Sequence, residues 1–391
     1  MKILVVSHCQ VIPEYQADLQ AMAKLGDEIV LVTPDLYKEG GRPTEASTLP
    51  GQFSHYKLKT VFGKSGKQHF HFYLNMIKII KLIKRFKPDI IYLYEEPNSL
   101  VTIQWLMISR LINESSKLVI WTACNTKRNY KDMFHMLDIR RWLFDVNIKI
   151  SERLSDGIVA ISRDASEVLI WKGWKKTIYI SPTHFVDPNK FKPSSKKNQI
   201  FRLGVIGRLQ YQKGFDLVID ALSDFNKPFV LDIYGEGEEK QSLLDLANKN
   251  GISANCNWHG NVAYKDIPKY ISELDVLIVP SREVGHLKEQ FGRVVIEAMC
   301  SGVNVIVSDS GYLPKIAGEF GEVFKQNSVD SLAEKIKFYS IESNRIEAEK
   351  IREHTINAFS AEATAERLRR IFRKVVNSKQ ESQIVTIYDE K

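Results

Sequence analysis

Apolar residues in this chain gather into short runs, and the stretches between them repeat their apolar positions with a helical period. The runs Ile3–Ser7, Glu28–Thr33, Asp89–Tyr94, Leu118–Thr122, Asp156–Ile161 and Thr177–Ile180 read as strands. Helical stretches lie between several of them, among them Tyr15–Leu25, Asn98–Leu111 and Arg163–Trp171. The segment SPTHFVDPNKFKPSSKKNQ then breaks the pattern with prolines and a basic, polar end, and reads as a linker. After it the alternation restarts, with strands expected at Arg202–Ile206, Phe229–Tyr234, Asn255–His259, Val276–Val279 and Asn304–Ser308. Near-continuous apolar strands alternating with helices imply parallel sheets covered on both faces. The fold class is therefore α/β, with two Rossmann-like, doubly wound domains. The expected boundaries are 1–185 for the first domain, 186–200 for the linker, 201–359 for the second domain, and 360–391 for a closing helix and a mobile tail.

Composition narrows the setting. The four cysteines, Cys9, Cys124, Cys256 and Cys300, are scattered and form no C-x-x-C pair, which argues against a disulfide framework or a zinc site. The N-terminal apolar run is too brief for a signal peptide. No stretch reaches the roughly 18 to 20 apolar residues a spanning helix needs. A cytoplasmic protein is expected, with any membrane contact peripheral. Residues 1–200 carry 30 Lys and Arg against 19 Asp and Glu, whereas the remainder carries 25 against 28. A basic first half suggests an anionic partner. The stretch HFHFYLNMIKIIKLIKRFK reads as a basic amphipathic helix with Asn75, Lys78, Lys81 and Arg85 on one face. That face is either solvated or laid on anionic lipid.

Doubly wound sheets bind ligands at the carboxyl ends of their strands. After the strand ending at Ile206 comes GRLQYQKG, where Gly207 permits close backbone approach and Arg208 and Lys213 supply two cations suited to a diphosphate. A second glycine turn, YGEGEEK with Gly235, closes the next strand but is no dinucleotide fingerprint. In KEQFGRVVIEAMCSGVNVIVSDSG, a helix expected to begin near Phe291 offers its first N–H groups to an anion. Glu289 stands before that helix and Glu297 inside it. Eight residues at helical rise span roughly 12 Å, about the length of a sugar-diphosphate-ribose unit. The other reading of the two carboxylates is a helix-capping Glu289 and a core ion pair at Glu297.

GRLQYQKGFDLVIDAL followed by EQFGRVVIEAMCSGVNVIVSDSG resembles the donor half of retaining glycosyltransferases of family 4, which have the two-domain GT-B fold around a cleft. YGEGEE, HGNV, LDVLIVPSRE and SDGIVAIS…VDPNKF extend the resemblance over most of the chain, loosely in the first half. The resemblance implies that Arg208 and Lys213 bind the donor diphosphate, Glu297 the ribose and Glu289 the transferred sugar. Backbone N–H groups near Phe291 and Gly292 would touch sugar and phosphate, and the last helix would cross back to the first domain. Gln290 stands where the family often has glycine. The first domain departs further: SHCQVIPEYQ lacks the glycine-rich loop, and WTACNTKRNYK lacks the histidine many relatives carry. EEPNS and CNTKRNYK resemble a subgroup with an Asn-containing segment there, so Asn125 and Lys127 become the acceptor-side or catalytic candidates, with Glu96 behind them.

The implied activity is transfer of a sugar from a UDP- or GDP-linked donor to a glycolipid or polysaccharide precursor, a lipid-linked or oligosaccharide acceptor, in cell-surface polysaccharide assembly. Arg208 and Lys213 would neutralise the leaving diphosphate, with no cofactor. No D-x-D motif stands in the sequence, and His69 and His71 have no evident third ligand, so no metal is expected. Alternatives are a GT-B relative with other chemistry, such as a sugar-nucleotide epimerase or a soluble disaccharide synthase, or a non-catalytic bilobed sugar-binding protein. No module for nucleic acid is found.

Overall fold

The apolar runs pair into two all-parallel sheets, one in each of two units. The computed structural model describes residues 1–39, 42–67, 69–133, 135, 138–196, 198–377 and 384–386. The first unit comprises Met1–Thr183 and, among the later described residues, 364–377 and 384–386; the second comprises His184–Ala363.

In the first unit the strands are β1 (Lys2–Ser7), β2 (Glu28–Pro34), β3 (Leu36–Glu39), β4 (Arg42–Glu45), β5 (Ser54–Leu58), β6 (Thr60–Val61), β7 (Phe72–Tyr73), β8 (Ile90–Tyr94), β9 (Lys117–Thr122), β10 (Gly157–Ala160) and β11 (Ile178–Ile180). β3–β4 and β6–β7 are short antiparallel pairs. The main sheet runs β11-β10-β9-β8-β1-β2-β5. Chain order reverses between β1 and β8, which pair in register from Ile3↔Ile90 to Ser7↔Tyr94. The residues that follow, His8 and Glu95, therefore leave the sheet side by side.

Helices cover the sheet by the periodicity that predicts them. In Met76–Phe86, Ile79, Leu82, Ile83 and Phe86 are buried. Each such side chain stabilises by roughly 1.5–3 kcal/mol on burial. Asn75 caps this helix, its Oδ1 accepting from Lys78 N at 2.9 Å. Its cap role removes Asn75 from the expected basic face, where Lys78, Lys81 and Arg85 are exposed. Lys87, at φ 51°, and Pro88 end the helix.

The helix Ala361–Asn377 lies mostly in the first unit. There Arg369 pairs with the buried Asp27 at 2.5 Å, and Phe372 meets Tyr92 edge-on with ring centroids 5.2 Å apart. The tail expected to be mobile contributes a strand instead, β18 (Ile384–Thr386), pairing in parallel with β11. Backbone pairing of a β-branched triplet, Ile-Val-Thr, at a sheet edge outweighs the polar composition around it. The tail's other residues, 378–383 and 387–391, lie outside the described residues.

In the second unit β12 (Phe201–Ile206), β13 (Phe229–Tyr234), β14 (Cys256–Gly260), β15 (Val276–Val279), β16 (Asn304–Ser308) and β17 (Gly321–Phe324) stand in the order β14-β13-β12-β15-β16-β17. Chain order reverses here between β12 and β15. The start of the proline-bearing stretch, residues 186–191, packs within this unit. Phe191 is buried, Val186 N donates to Phe359 O at 2.9 Å, and Arg352 Nη2 donates to Pro188 O at 2.7 Å.

Candidate donor site and a buried polar cluster

The reversal between β12 and β15 is where a doubly wound sheet leaves a crevice. In the second unit a cavity lies there, lined by Lys213, Phe215, Ser281, Glu289, Gly292 and Arg293, with Ile206 and Ile278 from the two strand ends. Lys213 Nζ donates to Glu289 Oε2 at 2.7 Å, and Ser281 Oγ donates to the same oxygen at 3.0 Å. The sequence separates Lys213 from Glu289 by 76 residues, and the fold makes them partners. The loops carrying them are tied together. Arg282 N donates to Gln212 O at 2.9 Å, and the buried Arg282 guanidinium grips both oxygens of Asp216 at 2.7 Å.

The helix behind Glu289 spans Arg293–Cys300, two residues later than the sequence suggests. Gly292 occupies its N-cap at φ +76°, where a Cβ would sit 2.4 Å from Leu313 Cδ2. A side chain there is excluded both by conformation and by space. The 12 Å helical ruler from Glu289 to Glu297 is thus corrected: regular rise runs only from Arg293 to Glu297, roughly 6 Å. Phe291 is buried and packs on His184, Tyr312 and Phe359, so its ring anchors the turn.

Glu297 is 6% exposed and accepts a hydrogen bond from Tyr264 Oη at 2.9 Å. Burial pushes its pKa up, partly offset by Arg293 one turn earlier and by Tyr264. It is therefore a carboxylate held at a desolvation cost, which fits hydroxyl recognition better than a core ion pair. Gly207 and Gly235 meet at the ends of β12 and β13. Gly235 has φ +137°, and a Cβ on it would come within 1.8 Å of Gly207 O. Arg208 is exposed, makes no side-chain ion pair among the described residues, and does not line the cavity. Sequence reasoning missed Ser281, Arg293 and Tyr264. Arg293 was legible in principle as the first residue of the helix facing an anion.

The first unit places its candidates differently. Lys127 pairs with Glu167 at 3.0 Å on the surface, both half exposed. Asn125 is buried. Glu96 accepts from Thr122 Oγ1 at 2.6 Å and Ala123 N at 2.9 Å; burial raises its pKa against both bonds. At the reversal between β1 and β8, His8 Nδ1 lies 2.6 Å from Glu95 Oε2, and His71 Nε2 lies 3.6 Å from Glu95 Oε1. The fold so brings to His71 the carboxylate and second imidazole that its sequence neighbours do not offer. One ligand atom from each of the three lies within 4.8 Å of the others. Burial favours a neutral Glu95, but the two imidazoles outweigh it and hold its pKa down to about 2.

Two doubly wound, all-parallel units in one chain are the architecture of the GT-B fold, and the second unit's switch point holds a Lys–Glu pair and a helix start. Residues 186–358 match the family Glycosyl transferases group 1. A 41.2 kDa protein from the cps region of Klebsiella pneumoniae is 27% identical over 277 residues, 67% of this chain and 71% of that protein. The GDP-mannose-dependent alpha-(1-6)-phosphatidylinositol monomannoside mannosyltransferase of Mycobacterium tuberculosis is 29% identical over 177 residues, 41% of this chain and 46% of that protein. Among solved structures, Anabaena HepE in complex with UDP shares the fold with a TM-score of 0.65 at 16% identity, over 96% of this chain and 100% of that one. Among the described residues, no helix is long and apolar enough to cross a membrane.

Proposed function

We propose that the chain is a retaining glycosyltransferase of family 4. It would move a sugar from a UDP- or GDP-linked donor to a lipid-linked or oligosaccharide acceptor in cell-surface polysaccharide assembly, at the inner face of the membrane. The observation that carries this reading is the Lys213–Glu289 pair beside the start of the Arg293–Cys300 helix, inside one cavity. A cation and unpaired helix N–H groups suit a diphosphate. A carboxylate beside them suits the hydroxyls of the attached sugar. Arg208 is exposed and within the same loop as Lys213, where it can close on a bound diphosphate. Charge developing on the leaving group would be met by Lys213, Arg208 and the helix start. The surface-polysaccharide setting draws on the cps-region and mannosyltransferase relatives; the UDP and GDP options draw on HepE and the mannosyltransferase.

The test is a panel of UDP-glucose, UDP-galactose and GDP-mannose, read by thermal unfolding. A donor at 100 times its Kd stabilises by about 2.7 kcal/mol. Stabilisation by one of these, kept in EDTA, is the expected result. No stabilisation by any of the three overturns the reading, and dependence on added magnesium or manganese overturns the metal-free account of the leaving group. The anomeric configuration of the product, read by NMR, decides retention.

A further inference from the structure

The turn after β14 carries a tyrosine whose placement the core does not explain. The helix Ile267–Ser272 is seated by its buried Ile267 and Ile271. The turn before it, Tyr264–Asp266, is closed by Asp266 N donating to Ala263 O at 2.9 Å. Tyr264 itself is 46% exposed, and its ring leans on the buried Phe191 with centroids 6.4 Å apart. A half-exposed tyrosine can leave its hydroxyl in water, since the ring is its apolar part and the hydroxyl its wet end. Here the hydroxyl reaches inward instead and donates to Glu297 Oε1 at 2.9 Å, 33 residues on in the chain.

Glu297 lies on the same helix as the cavity's anion-binding end. Arg293, the first residue of that helix, lines the cavity with Lys213 and Glu289. Residues four apart on a helix share a face, so Glu297 continues the line of the cavity one turn, roughly 6 Å, beyond Arg293. Glu289 stands before the helix start and Glu297 beyond it, so a diphosphate held at the start would have one carboxylate toward each of its two ends. An ionised carboxylate accepts at about four lone-pair positions and donates at none. Tyr264 fills one of them, and the adjacent 2′ and 3′ hydroxyls of a ribose are donors that match those left. Burial works against the ionised form, while Arg293 and Tyr264 work for it. A phenol orients the carboxylate without neutralising it, which leaves its strength as an acceptor for charge-assisted hydrogen bonds.

We propose that Tyr264 is a positioning residue for the donor nucleotide: its hydrogen bond sets the Glu297 carboxylate to accept from both ribose hydroxyls, and so makes nucleotide affinity depend on those hydroxyls. The inference rests on the glycosyltransferase reading, in which Glu297 meets the ribose, and adds to it the residue that aims Glu297. Tyr264 acts through the carboxylate, which is the group that touches the ligand.

The experiment titrates the full chain by calorimetry with UDP and GDP, and with the 2′,3′-dideoxy counterpart of whichever binds more tightly. The parent is expected to prefer the ribonucleotide by about tenfold or more, the worth of a hydrogen bond to a charged group. Tyr264→Phe keeps the ring against Phe191 and removes only the hydroxyl. It is expected to cut that preference to about a third of the parent's or less, while binding the dideoxynucleotide within about twofold of the parent. Glu297→Gln should lose the preference as well, and the double variant should match Glu297→Gln, because two residues that act through one contact are not additive. A Tyr264→Phe chain that keeps the parent's preference, or that weakens both nucleotides alike as a structural defect does, overturns the inference; so do losses that add in the double variant. A parent that binds UDP or GDP without preference for the ribose hydroxyls removes Glu297 from the ribose, and the inference with it. Failure of the glycosyltransferase reading shows separately, as absence of UDP and GDP binding in the parent.

Discussion

The two switch points of this molecule differ in how they hold their carboxylates. In the second unit Glu289 keeps 17% side-chain exposure and faces a lysine with 26%. In the first unit Glu95 is fully buried and faces imidazoles, which need not be charged. A lysine ammonium is a fixed, strongly hydrated charge that matches a diphosphate and tolerates a wet site. An imidazole held by a carboxylate is a directional hydrogen-bonding group that works best when water is excluded. The same crevice in the same kind of sheet thus holds two kinds of carboxylate, one facing an ammonium and one facing imidazoles.

The largest effect expected is that of Lys213→Ala, which strikes the charged site directly. Removing one donor aimed at developing negative charge typically costs on the order of a hundred- to a thousandfold in turnover. Steady-state rates with the stabilising donor should show that loss, together with weaker nucleoside-diphosphate binding by calorimetry. A variant within tenfold of the parent would remove Lys213 from the leaving-group site and leave its bond to Glu289 a structural one.

Next come the two carboxylates, which separate binding from turnover. Glu289→Gln is expected to bind the bare nucleoside diphosphate nearly normally and to lose kcat by roughly ten- to a hundredfold, as loss of a contact strengthened in the transition state does. Glu297→Gln is expected to raise donor KM about tenfold and to weaken the diphosphate equally, the loss of one hydrogen bond to a charged group. The second variant also carries a pH signature. Burial raises the Glu297 pKa in the folded chain, so the folded state binds the extra proton and stability falls as pH rises. Glu297→Gln lacks that penalty. It should melt above the parent at pH 8 and level with it at pH 4. Equal melting differences at both pH values would mean that Glu297 is not held ionised against its surroundings.

What the sequence disclosed follows from these contrasts. Strands such as Ile3–Ser7 and Asn304–Ser308 were legible because strands covered on both faces are apolar throughout, and they agree with the structure to within a residue. The edge strands Ser54–Leu58 and Gly321–Phe324 were not, because an edge strand is only partly covered and can carry polar residues such as Lys57 and Glu322. The cavity residues Lys213, Glu289 and Gly292 were legible because glycine turns, cations and a helix start are local signals, each interpretable within a few residues. The helix boundary slipped by two because Gly292 in a left-handed conformation could not be foreseen from the run FGRVV. The His8–Glu95 pair was invisible because its residues are 87 positions apart; only the register of β1 on β8 joins them.

The smallest effect belongs to Lys127, and it tests the acceptor-side role that the sequence suggests for it. The sequence made Lys127 an acceptor-side candidate beside Asn125. In the structure its ammonium pairs with Glu167 at 3.0 Å, and both side chains are half exposed. Exposed ion pairs contribute about 0–1 kcal/mol, because water screens the charges and two long side chains must be ordered. Lys127→Ala should therefore shift melting by no more than the loss of that pair, about 1 kcal/mol at most. Sugar transfer should stay within about twofold, a range typical of surface changes away from a site. Raising the salt to 1 M should erase the difference in melting, since the Debye length falls to about 3 Å. A tenfold loss of transfer with unchanged nucleotide affinity would instead make Lys127 an acceptor-side residue, as the sequence suggests. The contrast between a lysine-faced switch point in the second unit and an imidazole-faced one in the first would then fail to mark where function lies.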